Sequence, residues 1–97
     1  MKIDEKICQR ALDTWGKTAQ MSMVFEEMSE LQIELLKNIN RGKDNVEKII
    51  DECADVNIML RQVELCYNIK EEVQKRIDFK LNRLVGRLDE WDENNKK

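Results

Sequence analysis

The sequence predicts an all-α protein: an antiparallel helical hairpin with flanking helices, completed by oligomerisation. Three observations predict it. The 97 residues contain no proline and only three glycines, so the turns that an all-β domain needs are missing. Four stretches repeat apolar residues at helical spacing. A chain this short also buries a limited share of its surface, which leaves a metal, a cofactor or a second subunit to complete the core.

The first helix is expected from about Asp4 to Trp15, with Ile3, Ile7, Ala11 and Leu12 on one face and a stop near Gly16. Thr18 suits the N-cap of a second helix that runs through Asn40 to the break at Arg41-Gly42. Asp44 with Glu47 three residues on forms a capping-box pattern, opening a third helix to about Tyr67. Asn68 with Glu71 repeats that pattern before a fourth helix whose Val73, Ile77, Leu81, Leu84 and Leu88 share a face. Residues 1–97 read as a single domain, with about 90–97 expected to form a frayed tail.

Composition narrows the function. A net charge of −3 argues against a partner held by its nucleic-acid backbone, although the 17 basic residues nearly match the 20 acids. Cys8, Cys53 and Cys66 are odd in number and form no CxxC, so neither a disulfide framework nor a zinc knuckle is expected. The charged N-terminus does not read as a signal peptide, and no apolar run approaches membrane-spanning length. The expectation is a cytoplasmic protein with reduced thiols.

Helices two and three contain a repeat. At an offset of 25 residues, VFEEMSELQIEL (24–35) aligns with IIDECADVNIML (49–60). Glu27 falls on Glu52, Glu30 on Asp55, Glu26 on Asp51, Gln32 on Asn57 and Ile33 on Ile58. A repeat across an antiparallel hairpin implies a local pseudo-twofold axis. Glu30 lies roughly 15 Å below Asn40, and Glu52 roughly 11 Å below Asn45, at 1.5 Å per residue. The two acidic clusters therefore stand level.

Glutamates on a helix flank are ordinarily just solvated. Two pairs at i, i+3 spacing that face each other are different, because converging carboxylates raise one another's pKa unless a cation neutralises them. All-oxygen ligation suits a hard ion, Mg²⁺ first and Mn²⁺ as a substitute. The absence of histidine excludes the Glu-x-x-His di-iron bundle and the usual zinc sites. Gln32 and Asn57, matched in the repeat, are expected to hydrogen-bond across the hairpin.

Glu26-Glu27-x-x-Glu30 followed by Glu52-x-x-Asp55 resembles the EExxE…ExxD signature of the MazG-like, all-α nucleoside triphosphate pyrophosphohydrolases. The resemblance spans roughly Trp15 to Arg87, and takes in Trp15-Gly16, Gln20, Lys80 and Arg83. It implies a MazG-like four-helix arrangement and Mg²⁺-dependent hydrolysis between the α and β phosphates, giving a nucleoside monophosphate and pyrophosphate. It implies Glu27, Glu30, Glu52 and Asp55 as metal ligands, and Glu26 and Glu27 as catalytic carboxylates, with Glu26 orienting a water. Lys80, Arg83, Trp15 and Gln20 would bind the nucleotide, Trp15 by stacking on a base. A homodimer or homotetramer is expected. The rival reading is a non-catalytic helical oligomerisation or regulatory module whose acidic row is a solvated face.

Overall fold

A computed structural model describes residues 2–96, and every described element is helical. The helices are α1 (Glu5–Trp15), α2 (Lys17–Arg41), α3 (Val46–Tyr67) and α4 (Lys70–Asn94). No helix is long and apolar enough to cross a membrane among the described residues.

α1 starts where Asp4 accepts the Lys6 N–H at 2.9 Å, satisfying one of the unpaired donors of the first turn. It buries Cys8 and Leu12, whereas Ile7 is 67% exposed, so the buried stripe is displaced by one residue from the face the sequence suggested. Gly16 alone links α1 to α2. Its φ of 89° and ψ of 162° lie where only glycine is comfortable, and this lets its N–H reach the Leu12 carbonyl while its own carbonyl accepts from Gln20. α2 accordingly begins at Lys17, before Thr18, and Thr18 does not cap it; its carbonyl accepts instead from the Ser22 hydroxyl at 2.9 Å.

Gly42 ends α2 in the left-handed conformation. Asp44 does not cap α3 either. The half-in residue is Asn45, whose side chain leaves its own helix and braces the hairpin. Its Nδ2 donates to the Glu34 carbonyl and to Glu34 Oε1, both at 2.9 Å. Asn38 Nδ2 donates in turn to Asn45 Oδ1 at 3.2 Å and to the Lys43 carbonyl at 3.1 Å. This clamp fixes the register of α2 against α3.

Asn68 closes α3 instead of opening α4. It adopts a φ of 53°, a left-handed conformation that asparagine tolerates better than most side chains, and the Ile69 N–H returns to the Glu64 carbonyl at 2.9 Å. α4 then runs through Asn94, so most of the expected frayed tail is helix; Lys97 lies outside the described residues.

α1 lies against both α2 and α3, and a small core forms where the three meet: Cys8, Leu12, Val24 and Met59, with Gln20 and Gln62 buried beside them. Glu5 ties this unit to the next helix, accepting from Arg61 Nη1 at 2.7 Å and from Lys70 Nζ. The Lys70 contact, with Arg61 adding its charge, holds the Glu5 carboxyl below its usual range. α4 packs against α3, reaches α1 through the Lys70–Glu5 pair, and buries no residue. The radius of gyration is 17.3 Å, against about 12.5 Å for a compact chain of this length.

Candidate metal centre

The hairpin brings the two acidic clusters together. α2 contributes Glu27 and Glu30 and α3 contributes Glu52 and Asp55, each pair one turn apart on its helix. One carboxylate oxygen from each of Glu27, Glu52 and Asp55 lies within 4.8 Å of the others, and all three residues are half-buried. Glu30 is more exposed, and its charge adds to the upward push on the Glu52 carboxyl. Asp55 stands in the same relation to Glu27. The repeat maps Glu27 onto Glu52 and Glu30 onto Asp55, so the Glu27–Asp55 pair maps onto the Glu52–Glu30 pair. This is the pairing that the pseudo-twofold inferred from the sequence implies.

Two oxygens stand out. Glu27 Oε2 and Glu52 Oε2 are buried and have no hydrogen-bond partner. They are equivalent under the pseudo-twofold. Leaving a buried carboxylate oxygen without a donor is costly, and four mutually repelling acids compound the cost. Burial first, then the charges of Asp55, Glu30 and Glu52, push the Glu27 carboxyl up to about 7. Burial, and then Glu30, raise Glu52 as well. The donor set fits a hard divalent cation: it is all oxygen, crowded, and lacks any protein donor to its innermost atoms.

A pH profile follows with a definite sign. Glu27 holds its proton more tightly folded than unfolded, so its contribution to stability is complete below about pH 4.5 and is lost as pH rises through about 7. In EDTA the melting temperature should therefore fall from pH 5 to pH 8. Saturating Mg²⁺ should reverse the trend, since the ion takes the deprotonated carboxylates and displaces protons. Scanning calorimetry across that range checks it. A flat EDTA profile would mean ordinary solvated acids.

The remaining candidates are placed as follows. Glu26 is exposed and lies outside the carboxylate cluster. Gln20 is buried and Trp15 is 66% exposed; both line a pocket with Ala19, Met23, Met59 and Gln62. Lys80 and Arg83 are exposed on α4. That helix meets α3 along a cleft lined by Asn57, Leu60, Arg61 and Glu64. At 100° per residue this face of α3 is roughly 160° from the one bearing Glu52 and Asp55. Lys80 and Arg83 form no ion pair with the four acids, among the described residues. The expected amide bridge is also absent. Asn57 donates to the Cys53 carbonyl of its own helix at 2.8 Å, and Gln32 is exposed.

Sequence reasoning passed over Gln62, the more deeply buried of the two glutamines. The available signal was its spacing: Gln62 follows Asp55 by seven residues and Gln20 precedes Glu27 by seven, two turns along the same faces. Neither a family model, nor a curated protein, nor a solved structure matches the chain.

Proposed function

We propose that the protein is a Mg²⁺-dependent nucleoside triphosphate pyrophosphohydrolase that acts as a homo-oligomer in a MazG-like arrangement. The observation that carries this reading is the pair of symmetry-equivalent, buried and donorless oxygens of Glu27 and Glu52. A solvated acidic face has no use for them; a cation site does.

Bound to this quartet, Mg²⁺ supplies charge neutralisation for a polyphosphate and a water of lowered pKa. The carboxylates position the cation between two rigid helices, where the clamp at Asn45 limits relative sliding. A triphosphate is repelled by the bare quartet, so substrate binding depends on the ion. Glu26, exposed one residue from Glu27, is the free carboxylate nearest in sequence to receive a proton from the attacking water. The test is product identity. Incubation with Mg²⁺ and a panel of NTPs and dNTPs should release pyrophosphate and a monophosphate; release of orthophosphate, or of nothing, would reject the reading.

Oligomerisation is supported by surface area. The chain exposes 8073 Å², where a compact monomer of its mass would expose about 5,800 Å². α4 contributes a continuous apolar surface: its Leu81, Leu84, Leu88 and Trp91 are about half exposed in a row at helical spacing. A second copy covering that row brings the basic flank of its α4 to each hairpin from outside. The bases Arg76, Lys80, Arg83 and Arg87 flank the apolar row. In this arrangement Lys80 and Arg83 grip phosphate oxygens of the partner's substrate, because their own chain's acids lie around the far side of α3. Arg83→Ala should lower kcat/KM about 10- to 150-fold, as expected for a charge-assisted contact of ~1.5–3 kcal/mol, with Arg87→Ala milder and Mg²⁺ affinity without nucleotide unchanged. Parent kcat/KM in Arg83→Ala would remove α4 from the site.

A further inference from the structure

Two turns from the carboxylates, the groove of the hairpin opens into a pocket lined by Trp15, Ala19, Gln20, Met23, Met59 and Gln62. On α2, Met23 and Gln20 precede Glu27 by four and seven residues; on α3, Met59 and Gln62 follow Asp55 by four and seven. Pocket and carboxylates therefore share one face of each helix, with centres about 10 Å apart along the axes. The pocket holds an unmet acceptor. Gln62 is only 4% exposed, and its Oε1 is buried with no hydrogen-bond partner. An aliphatic side chain there would leave no polar atom unmet, so the amide destabilises the chain taken alone.

The far end of α4 carries the complementary group. Trp91 is 63% exposed, a large apolar ring with one N–H donor and no acceptor. The pocket of its own chain is out of its reach. Trp91 lies roughly 32 Å along α4 from Lys70, whereas Gln62 lies roughly 9 Å along α3 from Asn68. α4 also lines its cleft with the face of α3 that bears Asn57, Leu60, Arg61 and Glu64, away from the groove. A second copy can deliver the ring.

Charge sets the register of that copy. With its Trp91 at the pocket, the incoming α4 runs either along the groove toward the acids or off the end of the hairpin, and only the first course covers the groove. Arg87 and Arg83 then stand roughly 6 and 12 Å from the ring along their helix, bracketing the 10 Å or so between pocket and carboxylates. At 100° per residue, Lys80, Arg83 and Arg87 fall within about 80° of Trp91 on one side, and Leu81, Leu84 and Leu88 within about 80° on the other. Trp91 is the seam between the basic stripe and the apolar row. Its acidic neighbours Glu90 and Asp92 arrive near Lys17, which lies one turn before Gln20 and over the Tyr67 ring at 4.5 Å. The basic middle of α4 meets acids and its acidic end meets a cation; the other course loses both matches.

We infer that the pocket is the seat of the partner's Trp91, whose indole N–H donates to Gln62 Oε1 and whose ring packs on Trp15, Met23 and Met59. The inference rests on the homo-oligomeric reading for the existence of a partner, and adds where the partner's α4 lies. The exchange is reciprocal, as a twofold interface requires. Each seated tryptophan sets an Arg83 opposite the other chain's carboxylates, so neither chain has a complete site alone. Trp15 and Gln20 then contact a helix, in place of the nucleotide that the sequence resemblance implied.

The chain has two tryptophans, so in Trp15→Phe the remaining indole reports on Trp91 alone. At micromolar concentration, without Mg²⁺ or nucleotide, its fluorescence should resist acrylamide quenching, and either dilution or Leu84→Glu with Leu88→Glu should expose it. Trp91→Phe and Gln62→Met should each raise the dissociation constant at least 10-fold by sedimentation equilibrium. The double variant should be no weaker than either single one, because both remove the same contact. Trp91 is exposed in the single chain, so Trp91→Phe should leave the helical circular dichroism spectrum unchanged. Should Gln62→Met fail to give that spectrum, Ala19→Leu, which narrows the mouth from an exposed position, takes its place in the cycle. An oligomer in which Trp91 is quenched as freely as in the monomer, or additive losses in the double variant, would overturn the seat and leave the oligomer standing. Loss of shielding on adding a Mg²⁺-nucleotide would give the pocket to a small ligand and overturn the seat as well. A monomeric parent would remove seat and oligomer together. A shielded, coupled Trp91 in a protein that releases no pyrophosphate would uphold the seat and reject hydrolysis alone.

Discussion

Glu52→Gln should lower kcat/KM by at least about 100-fold, beyond what loss of a residue supporting a metal ligand usually costs, and should at the same time raise the melting temperature measured in EDTA. The two effects have one origin. In the metal-free protein Glu52 is a half-buried acid with a donorless inner oxygen, facing Glu30 and Asp55. An amide of the same shape removes the repulsion, and relief of ~1 kcal/mol moves a domain of this size by about 4–8 °C. The same change removes a ligand, so the stabilisation that Mg²⁺ gives the parent should shrink or disappear. Glu27→Gln, its equivalent under the pseudo-twofold, should behave alike. Full activity in either variant, or a lower melting temperature in EDTA, would sink the metal-site assignment. A purely structural role predicts loss of stability with loss of activity; this assignment predicts the opposite pairing.

The second large effect concerns α4. Light scattering of the parent at micromolar concentration should give at least twice the monomer mass of 11.6 kDa. Leu84→Glu with Leu88→Glu, one turn apart on the exposed apolar row, should yield the monomer mass and little activity. The accessible surface exceeds that of a compact monomer by about 2,200 Å² per chain, ample for the 2,000–5,000 Å² interfaces typical of permanent homodimers. Area does not set affinity, so the mass of the double variant is the decisive measurement. An unchanged mass in that variant, or a monomeric parent, would dispose of the interface. The metal response should persist in the monomer, because all four acids belong to α2 and α3.

Much of this was legible in the sequence, for a physical reason. The hairpin and its level acidic clusters follow from a repeat that keeps acidic and apolar positions in one register over twelve residues, and from the fixed rise of a helix. Helix ends were less legible. Thr18, Asp44 and Asn68 each fit a capping pattern, yet none caps the helix that follows. Gly16 links its helices too tightly for Thr18 to be needed, and Asn68 is taken by the left-handed turn that closes α3. Asn45 is spent on Glu34, eleven residues away. Capping rules are local, and each of these outcomes was decided by a tertiary or junction constraint. Gln62 was missed because a lone glutamine in an apolar helix carries no signal until its burial and its missing partner are known. The reach of α4 could not be read either: the sequence shows its apolar face, but not what packs against it.

The clamp that joins Asn45 to Glu34 and Asn38 bears on which changes of length the gene can accept. Glu34 lies four residues beyond Glu30, and Asn45 seven before Glu52, so the clamp is the fixed point from which both acidic pairs are measured. One codon inserted between Glu30 and Glu34 would turn Glu27 and Glu30 about 100° away from their partners and slide them 1.5 Å, dispersing the quartet while leaving every helix intact. Seven inserted residues would restore the angle but misplace the pair by about 10 Å, unless α3 gained seven between Asn45 and Glu52 as well. Insertions at the loop tip, by contrast, bulge into solvent and cost only slowly growing closure entropy. Homologous genes should therefore differ in length near Lys43 and Asp44, or by matched sevens in both helices, and scarcely anywhere between the clamp and the acids.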